Sequence, residues 1–442
     1  MAVSTLRSLA LGLVLTAVCA SAQIGEYAGP SILSRGGGGG AAPAGTIAFR
    51  PYININALYS SGLTGRTMRP DGTLPEDDAF GGEAAVGLYG YRGWKRTVLG
   101  INYRGDYRRY TERNSYDGSN QFLVFGVTHQ PSKHVSVSLR QGAGTFNQNH
   151  GYSGTFGFYD PTFAQVPQDE LLDTRTTYLT SMADLTFIKS PRLSFNFGGT
   201  GFTVRRKASS LYGVTGASAR GDVAYRVTRR TTLGVDYLFT HFGFNKAFGA
   251  SDMHSVAGDY SIQVSRWWQV GLRAGVIRLE TLSLGVVQVD PIVAAIIGRS
   301  SGYEAFYRRD IQPTFSAQLT RTFRNATASA SYNYGTTPGN GIYLTSRQST
   351  FSGGYSYTGM RRWSLRSSVY YSDLEGVGQD IKGYQSVGVG AGATRMLGSR
   401  NLYFTARFDV RRTVAGQDFR RNFRSASIGL AYSPGDVPLR LW

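Results

Sequence analysis

Residues 401–413, "NLYFTARFDVRRT", alternate strictly. Leu402, Phe404, Ala406, Phe408 and Val410 share one parity, and Tyr403, Thr405, Arg407, Asp409 and Arg411 share the other. A strand turns successive side chains to opposite faces, so one face here is apolar and the other charged. The pattern recurs along the chain. Ile47, Phe49, Ile53 and Ile55 oppose Arg50, Tyr52, Asn54 and Asn56. Leu99, Ile101, Tyr103 and Tyr107 oppose Gly100, Asn102, Arg104 and Asp106. Leu193, Phe195 and Phe197 oppose Ser194, Asn196 and Gly198, and Leu233, Val235, Tyr237 and Phe239 oppose Gly234, Asp236 and Thr240. Trp363, Leu365, Val369 and Tyr371 oppose Ser364, Arg366 and Ser368. The windows 121–130 and 341–350 are blurred, and their faces stay unassigned.

Short basic turns punctuate these strands, among them "YRGWKR" (91–96), "KSPR" (189–192), "VTRRT" (227–231) and "GMRRW" (359–363). They recur about every 38 residues, a period that fits one pair of long strands, a short turn and a longer loop. Two longer intervals carry enlarged loops, at 147–173 and 283–305. Eight short turns separate nine hairpins, which predicts about 18 strands, with 16 as the alternative count. Connections this short make neighbours antiparallel. A propeller blade, the rival for this period, would hold four short strands where each period here holds two long ones.

The chain opens with Arg7, the run "LALGLVLTAVCASA" and the small-residue site Ala20-Ser21-Ala22, which reads as a secretory signal over 1–22. The only cysteine, Cys19, lies inside it, so the mature chain is expected to lack disulfides and cysteine–metal sites. "SRGGGGGAAPAG" marks 23–45 as a flexible linker. Beyond residue 22 no window holds the ~18–20 apolar residues of a spanning helix. The strands have the ~9–11 residues that cross a bilayer at a tilt, and Trp94, Trp267, Trp268 and Trp363 sit near strand ends, where an interfacial girdle belongs. In hydrocarbon every amide needs a partner, so such a sheet must close. The predicted fold is therefore an all-β, closed antiparallel transmembrane β-barrel over 46–433, with a C-terminal tail at 434–442.

Signal, even strand count, short turns and long loops together resemble the bacterial outer-membrane β-barrels, broadly the porin-like ones. The resemblance rests on pattern and on no single motif. It implies the bacterial outer membrane as location, its lipids and lipopolysaccharide as surroundings, passive passage of small hydrophilic or anionic solutes, and a homotrimer as one assembly. It implies no cofactor and no enzyme activity. The ending "SPGDVPLRLW" departs from the family's terminal strand, since Pro434 and Pro438 interrupt it. In porin-like barrels a loop placed like 147–173 often folds inward, so the resemblance makes Asp160, Asp169, Glu170 and Asp173 a candidate acidic constriction; a plain surface loop is the other reading.

The chain holds 47 Lys plus Arg against 28 Asp plus Glu, a net charge of +19. A secretion signal and the lack of a recognised binding module argue against nucleic acid. Part of the excess lies in the short turns, where Arg92, Lys95, Arg229, Arg230, Arg361 and Arg362 would attract anionic headgroups or peptidoglycan. The rest is predicted inside. By parity Arg50, Arg104, Arg108, Arg140, Arg220, Arg273, Arg366, Arg407 and Arg411 point inward, with Asp106, Asp184, Asp222, Asp236, Asp259 and Asp409. These could be cross-strand braces or a pore with mild anion preference, and the two are compatible. An exporter of an anionic polysaccharide and a sealed structural or adhesion barrel are the alternatives. A rim hydrolase has weaker support. Of His129, His134, His150, His241 and His254, only His241 and His254 share a neighbourhood: they flank one outer loop with Asp252 close by, a loose spacing that is a weak signal for a metal and holds no triad-like motif.

Overall fold

The computed structural model describes residues 47–64, 76–111, 116–146, 175–208, 211–288, 300–339, 341, 344–377, 383–398, 401–415, 419–434 and 437–438. It is all-β among these residues. The strands are β1 (Ile47–Thr64), β2 (Glu76–Gly93), β3 (Thr97–Tyr110), β4 (Gly118–Ser132), β5 (Val135–Phe146) and β6 (Thr176–Ile188). They continue as β7 (Leu193–Arg206), β8 (Gly213–Arg226), β9 (Thr231–Asn245), β10 (Gly249–Gln263), β11 (Trp268–Gln288) and β12 (Ser301–Thr322). The last are β13 (Ala326–Thr337), β14 (Ser346–Tyr357), β15 (Trp363–Gly376), β16 (Tyr384–Met396), β17 (Leu402–Ala415), β18 (Phe419–Tyr432) and the two-residue β19 (Val437–Pro438).

Each of the first 18 strands pairs antiparallel with its chain neighbours, and β1 pairs with β18 from Ile53↔Tyr432 to Ser61↔Arg424. That seam closes the barrel. The tail adds to it, because β19 bridges to β1 at Ala48↔Pro438 and Phe49↔Val437. A proline can occupy this edge because the N–H it lacks is not required of a terminal bridge.

The alternation sorts the two faces. Ile53, Ile55, Val86, Val235, Val276, Ile311 and Phe408 are exposed on the outer face. Their opposite-parity neighbours, such as Asn56, Glu83, Arg104, Asp106 and Thr240, are buried inside. A wall of exposed apolar side chains this continuous has no place in water. Tryptophans ring the short-turn end under guanidinium groups: Arg92 over Trp94 at 4.5 Å, Arg266 over Trp267 and Arg321 over Trp268 at 4.7 Å, and Arg395 over Trp363 at 5.3 Å. Each such contact contributes about 0.5–1 kcal/mol at an exposed site and fixes its ring at the rim.

Two expectations change. The stretch 283–305 is not one loop. β11 and β12 run on together from Ser283↔Phe306 to Gln288↔Ser301, extending a hairpin beyond their neighbours. The blurred window 121–130 has an orderly cause: Phe122 and Val124 are buried inside while Leu123 is exposed outside, so both faces are apolar.

Closure makes a direct prediction. Ala57 and Ile428 face each other across the seam, on the outer side. The variant carrying Ala57→Cys and Ile428→Cys should cross-link within one chain on mild oxidation, since antiparallel partners lie within disulfide reach. Ala57→Cys with Phe408→Cys should not. A cross-link in the second pair, or none in the first, would show a different seam.

Candidate functional site

The barrel interior carries a belt of charge near mid-strand. It is built by parity, because every member alternates with an apolar outer residue. On β6–β8 the register row Asp184↔Gly198↔Arg220 lets Arg220 reach over β7 to Asp184, Nη2 to Oδ1 2.7 Å. The crossing needs Gly198: a Cβ there would come within 2.3 Å of the Asp184 carboxylate. Arg273 spans from β11 to β9 in the same way and grips Asp236 with both fork nitrogens, at 2.9 and 2.5 Å. Its Nε also lies 4.0 Å from Asp259. Asp222 stands in register opposite Asp236 and accepts a 2.6 Å bond from Asn196.

On the other side of the barrel Arg407 holds Asp409 two residues along its own strand, at 2.5 and 3.0 Å. Arg108 Nε donates to Glu83 at 2.7 Å and lies 3.7 Å from Asp106, which in turn is 3.8 Å from Arg104 and accepts from Asn120 at 2.8 Å. Asn56 ties Glu83 to the seam with a 3.1 Å bond. Arg140 and Arg411 are buried in the same inner layer, and Arg50 and Arg366 share its parity. Charges this far from bulk water persist only when paired and hydrogen-bonded, which the network supplies.

The belt is asymmetric. Arginines prevail from β15 through β17 and on through β1–β5, with Asp409, Glu83 and Asp106 as counterweights. Aspartates prevail over β6–β10, where Asp184, Asp222, Asp236 and Asp259 face Arg220 and the Arg273 of β11. The second arc is also the wetter one: the side chains of Arg220, Arg273 and Asp259 are 37%, 32% and 43% exposed.

Toward the long-loop end the interior turns apolar. Phe122, Val124, Tyr178, Phe202, Val204, Val214, Phe242, Met253, Ile277 and Leu279 form one buried cluster. Over it lies a strap between β13 and β14. The Gly341 carbonyl accepts from the Tyr212 amide at 3.1 Å, the Thr345 and Ser251 hydroxyls bond at 2.6 Å, and the Thr345 carbonyl accepts from the Val377 amide at 2.8 Å. Strands β9–β12 intervene between β13 and the β8 end it touches, so the strap crosses the lumen. Gly341 has φ +94, and a Cβ there would sit 2.9 Å from the Arg206 side chain. Arg206 is itself buried and donates to the Tyr212 carbonyl.

Sequence reasoning placed nine arginines and six aspartates inside by parity and did not name Glu83, Arg206, Arg421 or the strap. Glu83 shares parity with Ala85 and Gly87, opposite Val86, and that alternation was enough to find it. The strap shows as Pro338, Gly339 and Gly341, residues that end a ladder; its described residues Gly341, Leu344 and Thr345 fall within the blurred window 341–350. The candidate constriction residues Asp160, Asp169, Glu170 and Asp173, and His150, lie outside the described residues. His241 and His254 lie within strands, on either side of a short connection. They sit on β9 and β10, on the outer wall, joined by a tight turn at 246–248. Their Nδ1 atoms lie 2.7 Å from Asp252 Oδ1 and Tyr237 Oη respectively. Among the described residues no group of three His, Cys, Asp or Glu side chains is placed to hold a metal.

Replacing Gly341 with Val should lift the strap from Arg206. A cysteine placed at Thr345 would then react with a water-soluble maleimide at least about tenfold faster, the loss of roughly 1.4 kcal/mol of anchoring. Unchanged reactivity would mean that the strap is not pinned there.

No protein-family model and no curated protein matches the chain. Solved structures similar to it include OpdQ of Pseudomonas aeruginosa, 10% identical, aligned over 90% of this chain and 98% of its own, with a TM-score of 0.39. OccK2 (OpdF) of the same organism is 12% identical, over 88% and 98%, with a TM-score of 0.42. The copper transporter OprC is 11% identical, over 90% of this chain and 67% of its own, with a TM-score of 0.44.

Proposed function

We propose that residues 1–22 direct export and that the barrel spans the bacterial outer membrane as a passive channel for small hydrophilic solutes, with a mild preference for anions. One observation carries the reading: a closed barrel, apolar outside, encloses a mid-strand belt of charge that water reaches at Arg220, Arg273 and Asp259. An apolar exterior calls for lipid, and a wet charged interior calls for polar traffic.

Selectivity would come from the small numerical excess of arginine over carboxylate along the belt. A solute passing the belt crosses between an arginine-rich arc and an aspartate-rich one, so the field runs across the lumen and orients dipolar or zwitterionic solutes. The strap narrows the long-loop end, which favours small solutes over polymers and weighs against polysaccharide export. A sealed barrel is the second reading, favoured by the same strap over its apolar cluster. Planar-bilayer recording separates them, since a sealed barrel gives no conductance steps.

Neutralising Arg407 and Arg411 to Gln should move the reversal potential in a salt gradient toward cation selectivity. A unit charge about 8 Å from the permeating ion in water is worth roughly 0.5 kcal/mol, so each replacement should change the permeability ratio about twofold. Asp236→Asn with Asp259→Asn should move it the opposite way. An unchanged potential in both variants would remove the belt from the filter.

A further inference from the structure

The outer wall carries a charged patch that the channel does not use. His241, Asp252, Glu280 and Arg309 stand in one register row across β9–β12, and His254 and Arg278 share the next row toward the short turns. Their parity is that of the exposed Tyr237, Val256, Val276 and Ile311, so all six face outward. Toward the short-turn end the same faces are apolar, through Leu233, Leu272 and Leu319. Charge on a lipid-facing strand is costly at mid-bilayer and nearly free at its edge. The patch therefore marks the height of the headgroups at the long-loop end.

Its internal chemistry is lopsided. Glu280 alone receives Arg278, Arg309 Nε at 3.1 Å and the Tyr307 hydroxyl at 2.5 Å. That carboxylate is 20% exposed, whereas its two arginines are 49% and 58% exposed. One acid thus holds two guanidiniums, Arg278 through Nη2 and Arg309 through Nε, while both arginine side chains stay about half exposed. His241 and Asp252, 2.7 Å apart, satisfy each other. Two guanidiniums gathered on one carboxylate bring two sets of donors together, a grouping that suits a phosphate, which accepts bidentate pairs.

Resting on the outer-membrane reading above, we propose that Arg278 and Arg309 bind the phosphate of an outer-leaflet glycolipid of the lipid A type, with Glu280 as the positioning residue. His254, beside Arg278, lies at the edge of the same site. The phosphate is lipid-borne, because the site stands directly above an apolar wall that acyl chains would cover.

The test uses the full chain in detergent micelles, titrated with diphosphoryl lipid A and read by native mass spectrometry. Wild type should bind, monophosphoryl lipid A should bind more weakly, and inorganic phosphate at equal concentration should not displace the lipid. Replacing Arg278 and Arg309 together by Gln should weaken binding at least tenfold and leave bilayer conductance unchanged. Glu280→Gln separates positioning from plain bracing. Gln keeps an acceptor for both guanidiniums, so lipid affinity should hold, whereas Glu280→Ala releases them and should weaken lipid binding several-fold; a merely structural network would lose fold stability in Glu280→Ala with lipid affinity unchanged, which would remove the positioning role. Equal lipid affinity in the double Gln variant overturns the proposal, and displacement by inorganic phosphate overturns the lipid source. A double variant that keeps its lipid but changes oligomeric state assigns the patch to a second copy of the chain. Lipid binding with no conductance would sink the channel reading and leave this site standing.

Discussion

The structure depends on the main-chain pairing of β1 with β18. An open sheet of this length would present two unpaired edges, each a row of amides and carbonyls with no water to satisfy them in hydrocarbon. Closure removes both edges at once. The cost of leaving even one such group unpaired is several kcal/mol, so in lipid the seam is not one interaction among many but the condition for the others. The tail strand reinforces it by bridging to β1 below the main ladder.

Once the sheet is closed, parity does the rest. One face is turned outward and is apolar, the other lines the lumen, and a residue's chemistry follows from its place in the alternation. The buried inward charges, Glu83, Arg104, Asp106 and Arg108 among them, have little access to water and must satisfy one another. They do so across strands, and the Asp184–Arg220 pair shows how finely: it exists because residue 198 is glycine. The network braces the wall and leaves a lumen with arginine gathered on one side and aspartate on the other. At the long-loop end the interior gives up charge for an apolar cluster, and a strap held by three main-chain or hydroxyl bonds lies across it.

Much of this was legible before the structure. Strand count, antiparallel order and the inward face of β17 follow from period-2 alternation and the spacing of basic turns, because closure leaves each strand only two environments. Legibility failed where a third environment intervened. Inside β4 the lumen is apolar, so Phe122 and Val124 erase the contrast on which parity reading relies. Between β13 and β14 the chain leaves the wall, and Gly341 signals that only through a backbone conformation which composition does not display. His241 and His254 fall inside strands because β9 and β10 run farther than a minimal span, carrying polar residues past the apolar belt and onto the outer wall. That same overrun creates the arginine patch around Glu280.

The central claim is that this sheet is oily outside and wet within. Nitroxide labels at Phe408 and at Arg407, one residue apart on β17, test it most directly in reconstituted bilayers. The account predicts that the label at Phe408 collides with dissolved oxygen and is shielded from a water-soluble nickel chelate, and that the label at Arg407 shows the reverse. Equal nickel access at both positions, or the opposite assignment, would contradict it.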